Sequence, residues 1–126
     1  MSRDTTVIAE IGENHTGDWE LAREMIEEAA TAGADVVKFQ SYFGEMVDED
    51  DPEREWFSRV EVPDSAHFDL REYAEDCGVE FLSSPFNVER TRFLVEELGL
   101  STINYRIADT AALELLDLAD AIQGDA

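Results

Sequence analysis

The chain has 126 residues, 44% of them hydrophobic, which is enough to bury the core of one ordinary domain. Its 31 acidic and 9 basic residues give a formal net charge of −22, which excludes nucleic acid and anionic membranes as expected partners because such a surface repels them. An apolar run of about 18 residues and a secretory leader are both missing from the sequence, so we expect a cytoplasmic protein.

The acidic residues are spread along every predicted helix and do not form a single tail, which predicts a solvated acidic surface. We interpret this as adaptation to high salt, where the Debye length falls to about 3 Å at 1 M and self-repulsion is screened. The single cysteine, Cys77, excludes an intrachain disulfide and a cysteine-based zinc site. It lies on the apolar stripe of a predicted helix, so we expect a buried, inert thiol.

Four short segments are predicted strands because they are rich in β-branched and aromatic residues. They are VIAEI (7–11), DVVKFQ (35–40), VEFLSS (79–84) and INYRIA (103–108). Most are apolar on both faces, which is typical of buried parallel strands.

Helices are predicted between and after the strands, with capping residues at their starts and glycines after the ends of the first three. Asp18 precedes the helix over 19–32, Ser65 opens the helix over 66–77, and Asn87 precedes the helix over 88–98. A fourth helix is predicted over 112–123. The acidic stretch DEDDPERE (48–55) is predicted to be a long solvated loop.

This β-α alternation predicts parallel strands with right-handed crossovers, in a doubly wound sheet or in part of a (β/α)₈ barrel. The first strand is followed by neither G-x-G-x-x-G nor a P-loop, which disfavours nucleotide binding. We treat residues 1–126 as one domain.

Polar residues occur at the ends of all four predicted strands: Glu10, Lys38, Gln40, Ser84 and Arg106. Loops at the carboxyl ends of parallel strands build the active sites of barrels, so we expect these side chains to converge at one rim. The alternative is a purely structural ion pair, since buried charges usually have a partner and such pairs often fail to improve stability.

Other residues that often mark sites are assigned to structural roles. His15 is expected to bond its local backbone in a turn, because one histidine is no metal site. His67, in the first turn of a helix, is expected at the surface. Trp19, Trp56 and Phe57 are interpreted as packing groups.

Three segments together resemble the N-acetylneuraminate (sialic acid) synthase family: VIAEIGENHTGD, ADVVKFQS and VEFLSSPF. The corresponding motifs of the family are close to AEIG-x-NH-x-G, A-VKFQ and FLS-T/S-PF. The number of residues between Glu10 and Lys38 is also the number expected in the family. The resemblance covers nearly the whole chain. It implies an α/β fold, a partial (β/α)₈ TIM barrel of about four βα units with parallel strands.

The resemblance also implies an activity, the condensation of phosphoenolpyruvate with an N-acylated amino sugar of the N-acetylmannosamine type. Glu10 would be catalytic, and Lys38, Gln40, Ser84 and Arg106 would bind substrate. The family uses a divalent metal, manganese or magnesium, whose ligands would not be in this chain.

The fourth predicted strand departs from the family pattern YKI-x-SGE. In YRIADTA, Arg106 replaces a lysine. Arginine can also bind phosphate, although its planar guanidinium does so with a different geometry from a lysine ammonium. Asp109 and Ala111 replace the serine and the acid, and Asp109 would repel phosphate.

A complete barrel takes about 250 residues. We therefore expect a homo-oligomer or a complementing C-terminal half as the macromolecular partner. One alternative is a non-catalytic half-barrel that self-associates through open sheet edges. Another is an aldolase-type enzyme in which Lys38 forms a Schiff base, although Glu10 nearby would oppose the required neutral amine.

Overall fold

The computed structural model describes residues 5–100. The elements, in chain order, are β1 (Ile8–Gly12), α1 (Trp19–Thr31), β2 (Val36–Ser41), a 3₁₀ turn (Gly44–Met46), α2 (Arg54–Val60), α3 (Asp64–Asp76), β3 (Glu80–Pro85), α4 (Val88–Arg92) and a π-helical turn (Phe93–Glu97). Each of the three strands begins and ends one residue later than predicted. The predicted strand over 103–108 and the predicted helix over 112–123 lie outside the described residues.

The three strands form one parallel sheet in the order β1-β2-β3. Helices α1 and α3 make the two crossovers, contact each other and pack on the same face of the sheet. A doubly wound sheet reverses its strand order and carries helices on both faces. The sequential order with helices on one face is the arrangement of a partial barrel, and the predicted fold class is confirmed.

The core lies between the sheet and the two crossover helices. Strand alternation directs Ile11, Val37, Phe39 and Phe81 toward the helices, where all four are buried. The rings of Phe39 and Phe81 stack with centroids 5.5 Å apart. The helices contribute Ala22, Ile26, Leu70 and Ala74. Because this face is filled mainly by apolar groups, the charged and amide side chains Glu10, Lys38 and Gln40 of the strands lie on the other face.

Two of the predicted helix caps are confirmed. The Asp18 carboxylate accepts hydrogen bonds from the backbone N–H groups of Glu20 and Leu21, at 3.0 and 3.1 Å. The Asn87 side chain accepts one from the N–H of Arg90 at 2.8 Å. These bonds satisfy N–H groups that have no partner within the helix.

The predicted cap at Ser65 is wrong. Helix α3 begins at Asp64, and the residue before it is Pro63, which makes no side-chain capping bond. The proline ring fixes φ near the observed −62°, so the last extended residue is Pro63 and the helix starts one residue before the serine. Ser65 lies within the first turn.

The connection between β2 and α3 contains more structure than predicted. Residues 48–53 precede helix α2, which begins at Arg54, inside the predicted loop. Val60 is buried, and the Phe57 ring meets Tyr42 edge-on at 5.5 Å. A Cβ atom on Gly44 would overlap the Ser58 backbone, so the 3₁₀ turn packs closely on α2. These tertiary contacts stabilise a helix too short to form alone.

The helices between residues 5 and 100 include none that is long and apolar enough to cross a membrane.

Candidate active site

The sheet face opposite α1 and α3, which we call the inner face, carries the polar strand residues. They lie in two layers. Glu10, Lys38 and Leu82 are aligned across β1, β2 and β3, and Gln40 and Ser84 are aligned one step nearer the carboxyl ends. The structure therefore brings four of the five predicted site residues onto one face of neighbouring strands. The fifth, Arg106, lies outside the described residues.

Glu10 and Lys38 form an ion pair at the centre of the inner face. Their register places them side by side, and Lys38 Nζ lies 2.7 Å from Glu10 Oε2. The Lys38 side chain is 18% exposed and that of Glu10 is 50% exposed. The ammonium is thus held in place by a charge-assisted hydrogen bond, while the carboxylate stays open to solutes.

Gln40 and Ser84 provide neutral hydrogen-bonding groups in the layer above this pair. Gln40 is half-buried and Ser84 is buried. The preceding residue, Ser83, points to the helix side because side chains alternate along β3. An amide, a hydroxyl and an ammonium on one small surface can bind a polar anion through several contacts at once, while the Glu10 carboxylate beside the ammonium can act as a proton acceptor.

Tyr42 is a residue of the same rim that the sequence analysis did not single out. It follows β2 directly and is 3% exposed. Burial, and then the neighbouring carboxylate of Glu13, raise the pKa of Tyr42 above its ordinary value of 10.0. The phenol therefore keeps its proton at neutral pH. The sequence could have indicated this residue, because Tyr42 comes directly after the strand that carries Lys38 and Gln40.

His15 lies in the turn after β1, as predicted, and bonds its local backbone. Its Nδ1 accepts a hydrogen bond from the N–H of Gly17 at 3.0 Å. The ring is fully buried against Trp19 and Phe39, with centroids 4.9 and 6.0 Å away. Burial lowers the pKa of His15, so the imidazole is neutral and acts as a packing group.

The prediction that His67 lies at the surface is wrong, because its side chain is fully buried. Its Nδ1 donates to the carbonyl of Pro63 at 3.0 Å, and its ring meets those of Phe81 and Phe93 edge-on. Burial lowers the pKa of His67 to about 4, against the opposing effect of the bond to Pro63. The sequence held a signal, since His67 is three residues before Leu70 and seven before Ala74, on one helical stripe.

Arg90 is a buried cation that the sequence analysis missed, and it is 4% exposed. Its guanidinium lies between the rings of Phe43 and Phe93, at 4.2 and 4.6 Å from their centroids. Its Nη1 also lies 2.7 Å from Asp64 Oδ1. These contacts hold the segment after β2 against α3 and α4, which fixes the shape of the carboxyl rim.

The remaining predictions concern packing groups. Cys77 is half-buried and packs against the core. Burial, followed by the charges of Glu27 and Asp76, raises the pKa of this thiol, which keeps it protonated. Trp19 also packs against the core, whereas Trp56 is exposed and contacts Phe57.

The part of the chain between residues 5 and 100 does not provide a complete set of ligands for a divalent metal. It contains no group of three or more histidine, cysteine or acidic side chains that could hold an ion. His15 and His67 are both used in packing. The metal that the family resemblance implies does not fit the residues described.

A groove opens at the outer edge of the sheet, on the helix side of β1. It has a volume of about 350 Å³. Its apolar lining is formed by Ala9, Ile11, Leu21, Met25 and Ala29, and its acidic lining by Glu10, Glu24 and Glu28. Among the described strands, β1 pairs with β2 alone. The groove therefore continues an unpaired strand edge with an apolar surface.

Comparison with known proteins gives a family match. The NeuB family model matches residues 25–124. N,N'-diacetyllegionaminic acid synthase of Campylobacter jejuni is 36% identical over 113 residues, which cover 78% of this chain and 34% of that protein. Human N-acetylneuraminate-9-phosphate synthase is 33% identical over 104 residues, covering 71% of this chain and 29% of that protein.

Two solved structures are similar over most of the chain. The sialic acid synthetase of Leptospira borgpetersenii, in complex with citrate, gives a TM-score of 0.86 at 30% identity, covering 95% of this chain and 42% of that one. The spore coat polysaccharide biosynthesis protein of Bacillus subtilis gives 0.71 at 32%, covering 93% and 34%. This chain spans about a third of the length of the curated relatives that it matches.

Proposed function

The chain belongs to the NeuB family, and from this premise we propose that it forms the phosphoenolpyruvate-binding part of a nonulosonic acid synthase. The observation that carries the proposal is the ion pair of Lys38 and Glu10, with Gln40 and Ser84 one layer above it on the inner face. Relatives named as synthases of legionaminic, pseudaminic and sialic acids support the reaction class.

The proposed reaction joins phosphoenolpyruvate to the open-chain form of an N-acylated amino sugar. C3 of phosphoenolpyruvate attacks the aldehyde carbon, water adds at C2, and phosphate leaves by cleavage of its bond to C2. The products are a 2-keto sugar acid and inorganic phosphate.

We assign the anion-binding role to Lys38, whose ammonium would bind the carboxylate or phosphate of phosphoenolpyruvate. Ser84 would donate a hydrogen bond to the same substrate, and Gln40 would contact the sugar. All three residues lie on the inner face. Gln40 and Ser84 are next to the last residue of their strands, where barrel sites are built, and Lys38 is in mid-strand, one layer below Gln40.

We assign the catalytic role to Glu10, which would deprotonate or orient the incoming water and the sugar hydroxyls. Its half-exposed carboxylate is accessible for proton transfer, while its contact with Lys38 fixes its direction. Arg106 would add a second cation for the phosphate, since its planar guanidinium offers paired donors.

We further propose that catalysis requires barrel elements beyond the residues described, from a longer chain or from a second one. The unpaired edge of β1 and the adjoining apolar groove support this, because both are surfaces that a neighbouring βα unit would bury. The same surface favours a second candidate function, that of a non-catalytic half-barrel that self-associates. We place the protein in the cytoplasm, where both substrates of such a reaction are expected.

Ligand-induced stabilisation tests the proposal. In molar KCl, phosphoenolpyruvate at a hundred times its dissociation constant should raise the free energy of unfolding by about 2.7 kcal/mol. The Tm should rise accordingly. Lys38→Ala should abolish the shift. Arg92→Ala is the matched control, since it removes the same charge from an exposed residue paired with Glu96 on the helix surface.

A folded chain that shows no shift at saturating phosphoenolpyruvate would leave the self-associating half-barrel as the function. The aldolase alternative has its own readout, because Lys38 is the only lysine in the chain. Borohydride in the presence of pyruvate would then add a single adduct at that residue. The carboxylate 2.7 Å away disfavours this, since the amine is already engaged in an ion pair and a Schiff base requires it to be free to attack a carbonyl.

A further inference from the structure

Strand β1 contains a bulge just before its last residue. Glu10 pairs with Lys38, and the next pair joins Gly12 to Phe39, so Ile11 is an extra residue on β1. Gly12 has a φ of +55°, in the left-handed region that L side chains rarely adopt. Bulges bend a strand and redirect the side chains beside them.

The backbone at Gly12 lies directly against the acid of the inner face. A Cβ atom added there would be 3.2 Å from Glu10 Oε1 and 3.9 Å from Gln40 Nε2. The other carboxylate oxygen, Glu10 Oε2, lies 2.7 Å from Lys38 Nζ. One oxygen of the Glu10 carboxylate therefore contacts the Lys38 ammonium and the other lies beside the bare backbone of Gly12, while half of the side chain stays exposed.

Other glycines show that conformation alone does not explain this contact. Gly33 and Gly78 also have positive φ, of +98° and +83°, but a Cβ on either would meet nothing within 4 Å. Both follow the ends of helices, where a left-handed residue is ordinary. Gly12 differs because a side chain there would reach a functional group.

We infer that Gly12 is a positioning residue for Glu10, because the lack of a side chain leaves the room in which the carboxylate contacts Lys38. The inference rests on the proposed function, in which Glu10 acts on water and sugar. A Cβ at residue 12 would displace the carboxylate by a few tenths of an ångström without removing any group from the site.

The test compares Gly12→Ala and Gly12→Asn with Gly33→Ala, all in molar KCl. Gly33→Ala introduces a residue with the same kind of backbone strain and no contact. Asparagine tolerates the left-handed region, so Gly12→Asn still tests the effect of a Cβ atom if Gly12→Ala fails to fold. The readouts are the ¹³C resonance of the Glu10 carboxyl, identified with Glu10→Gln, and the ¹⁵N resonance of Lys38 Nζ, which is unique because there is one lysine.

We expect the Gly12 variants to shift both resonances and to speed the solvent exchange of the Lys38 ammonium protons several-fold, while Gly33→Ala changes neither. Unchanged resonances in both Gly12 variants would overturn the inference. Phosphoenolpyruvate binding to the unaltered protein is measured separately. Shifted resonances without phosphoenolpyruvate binding would refute the proposed function and support the positioning role of Gly12. Phosphoenolpyruvate binding with unchanged resonances would support the proposed function and refute the positioning role.

Discussion

Among single residues, the ion pair of Glu10 and Lys38 is poorly explained by stability. Glu10 is half-exposed, and ion pairs of that kind contribute about 0–1 kcal/mol, so an apolar pair would serve the sheet as well. Arg90 is a different case, because its guanidinium is buried between two rings and paired with Asp64. Arg90 is a structural cation, whereas Lys38 is exposed enough to bind a ligand.

His67 gives a prediction about pH at the same scale. The folded protein keeps this imidazole neutral, with its pKa lowered to about 4 from the ordinary 6.5. Below pH 6.5 the unfolded chain binds the proton first, so stability is fully present above pH 6.5 and falls as the pH drops toward 4. The expected loss from this residue is about 3 kcal/mol.

Urea unfolding of the unaltered protein and of His67→Phe at pH 7, 5.5 and 4 measures this loss. Phenylalanine keeps the ring contacts with Phe81 and Phe93 but does not titrate. Both proteins also lose stability as carboxylates protonate, so the difference between them isolates the histidine. Parallel stability curves would contradict the assigned burial effect.

Among the secondary-structure elements, the residue at which a helix begins sets the direction of the crossover from one strand to the next. Asp18 ends the turn after β1 and begins α1, so it sets the direction in which the crossover leaves the rim. Ser65, which lies within the first turn of α3, has no such role, because Pro63 already ends the extended segment. Cap residues therefore matter only where their side chains reach the free N–H groups.

Asp18→Ala should destabilise the protein by about 1 kcal/mol, through the loss of its two capping bonds and of a negative charge at the helix start. This corresponds to about 4 °C in Tm for a chain of 126 residues. Ser65→Ala is the matched control and should change stability by less than about 0.5 kcal/mol. Equal effects of the two substitutions would mean that Ser65 caps α3 after all.

At the scale of the whole molecule, charge dominates. A net charge of −22 on 126 residues makes the compact state repel itself, and it also opposes contact between two copies through the groove beside β1. Salt screens both effects over distances longer than about 3 Å at 1 M. Folding and association are therefore both expected to depend on ionic strength.

Raising KCl from dilute buffer to molar concentration should raise the Tm by about 8 °C, equivalent to about 2 kcal/mol. Circular dichroism measures the transition, and light scattering over the same series reports whether copies associate. Sucrose at matched osmolality is the control, since it favours burial without screening charge. An equal Tm in dilute and molar salt would contradict the halophilic interpretation.

The alternation of strands and helices was determined by the sequence, as was the face of β2 that carries Lys38 and Gln40. Both follow from local rules, because side-chain periodicity and capping chemistry act over a few residues. The family followed from motifs at fixed separations, which also require no coordinates.

The tertiary structure alone decided the 2.7 Å contact of Lys38 with Glu10, the bulge at Ile11, the burial of His67 and the enclosure of Arg90. Each of these depends on segments that are distant in the chain and meet only when the sheet and helices pack. Periodicity can place a side chain on a face, but the distance between two side chains is set by the register and packing of the elements that carry them.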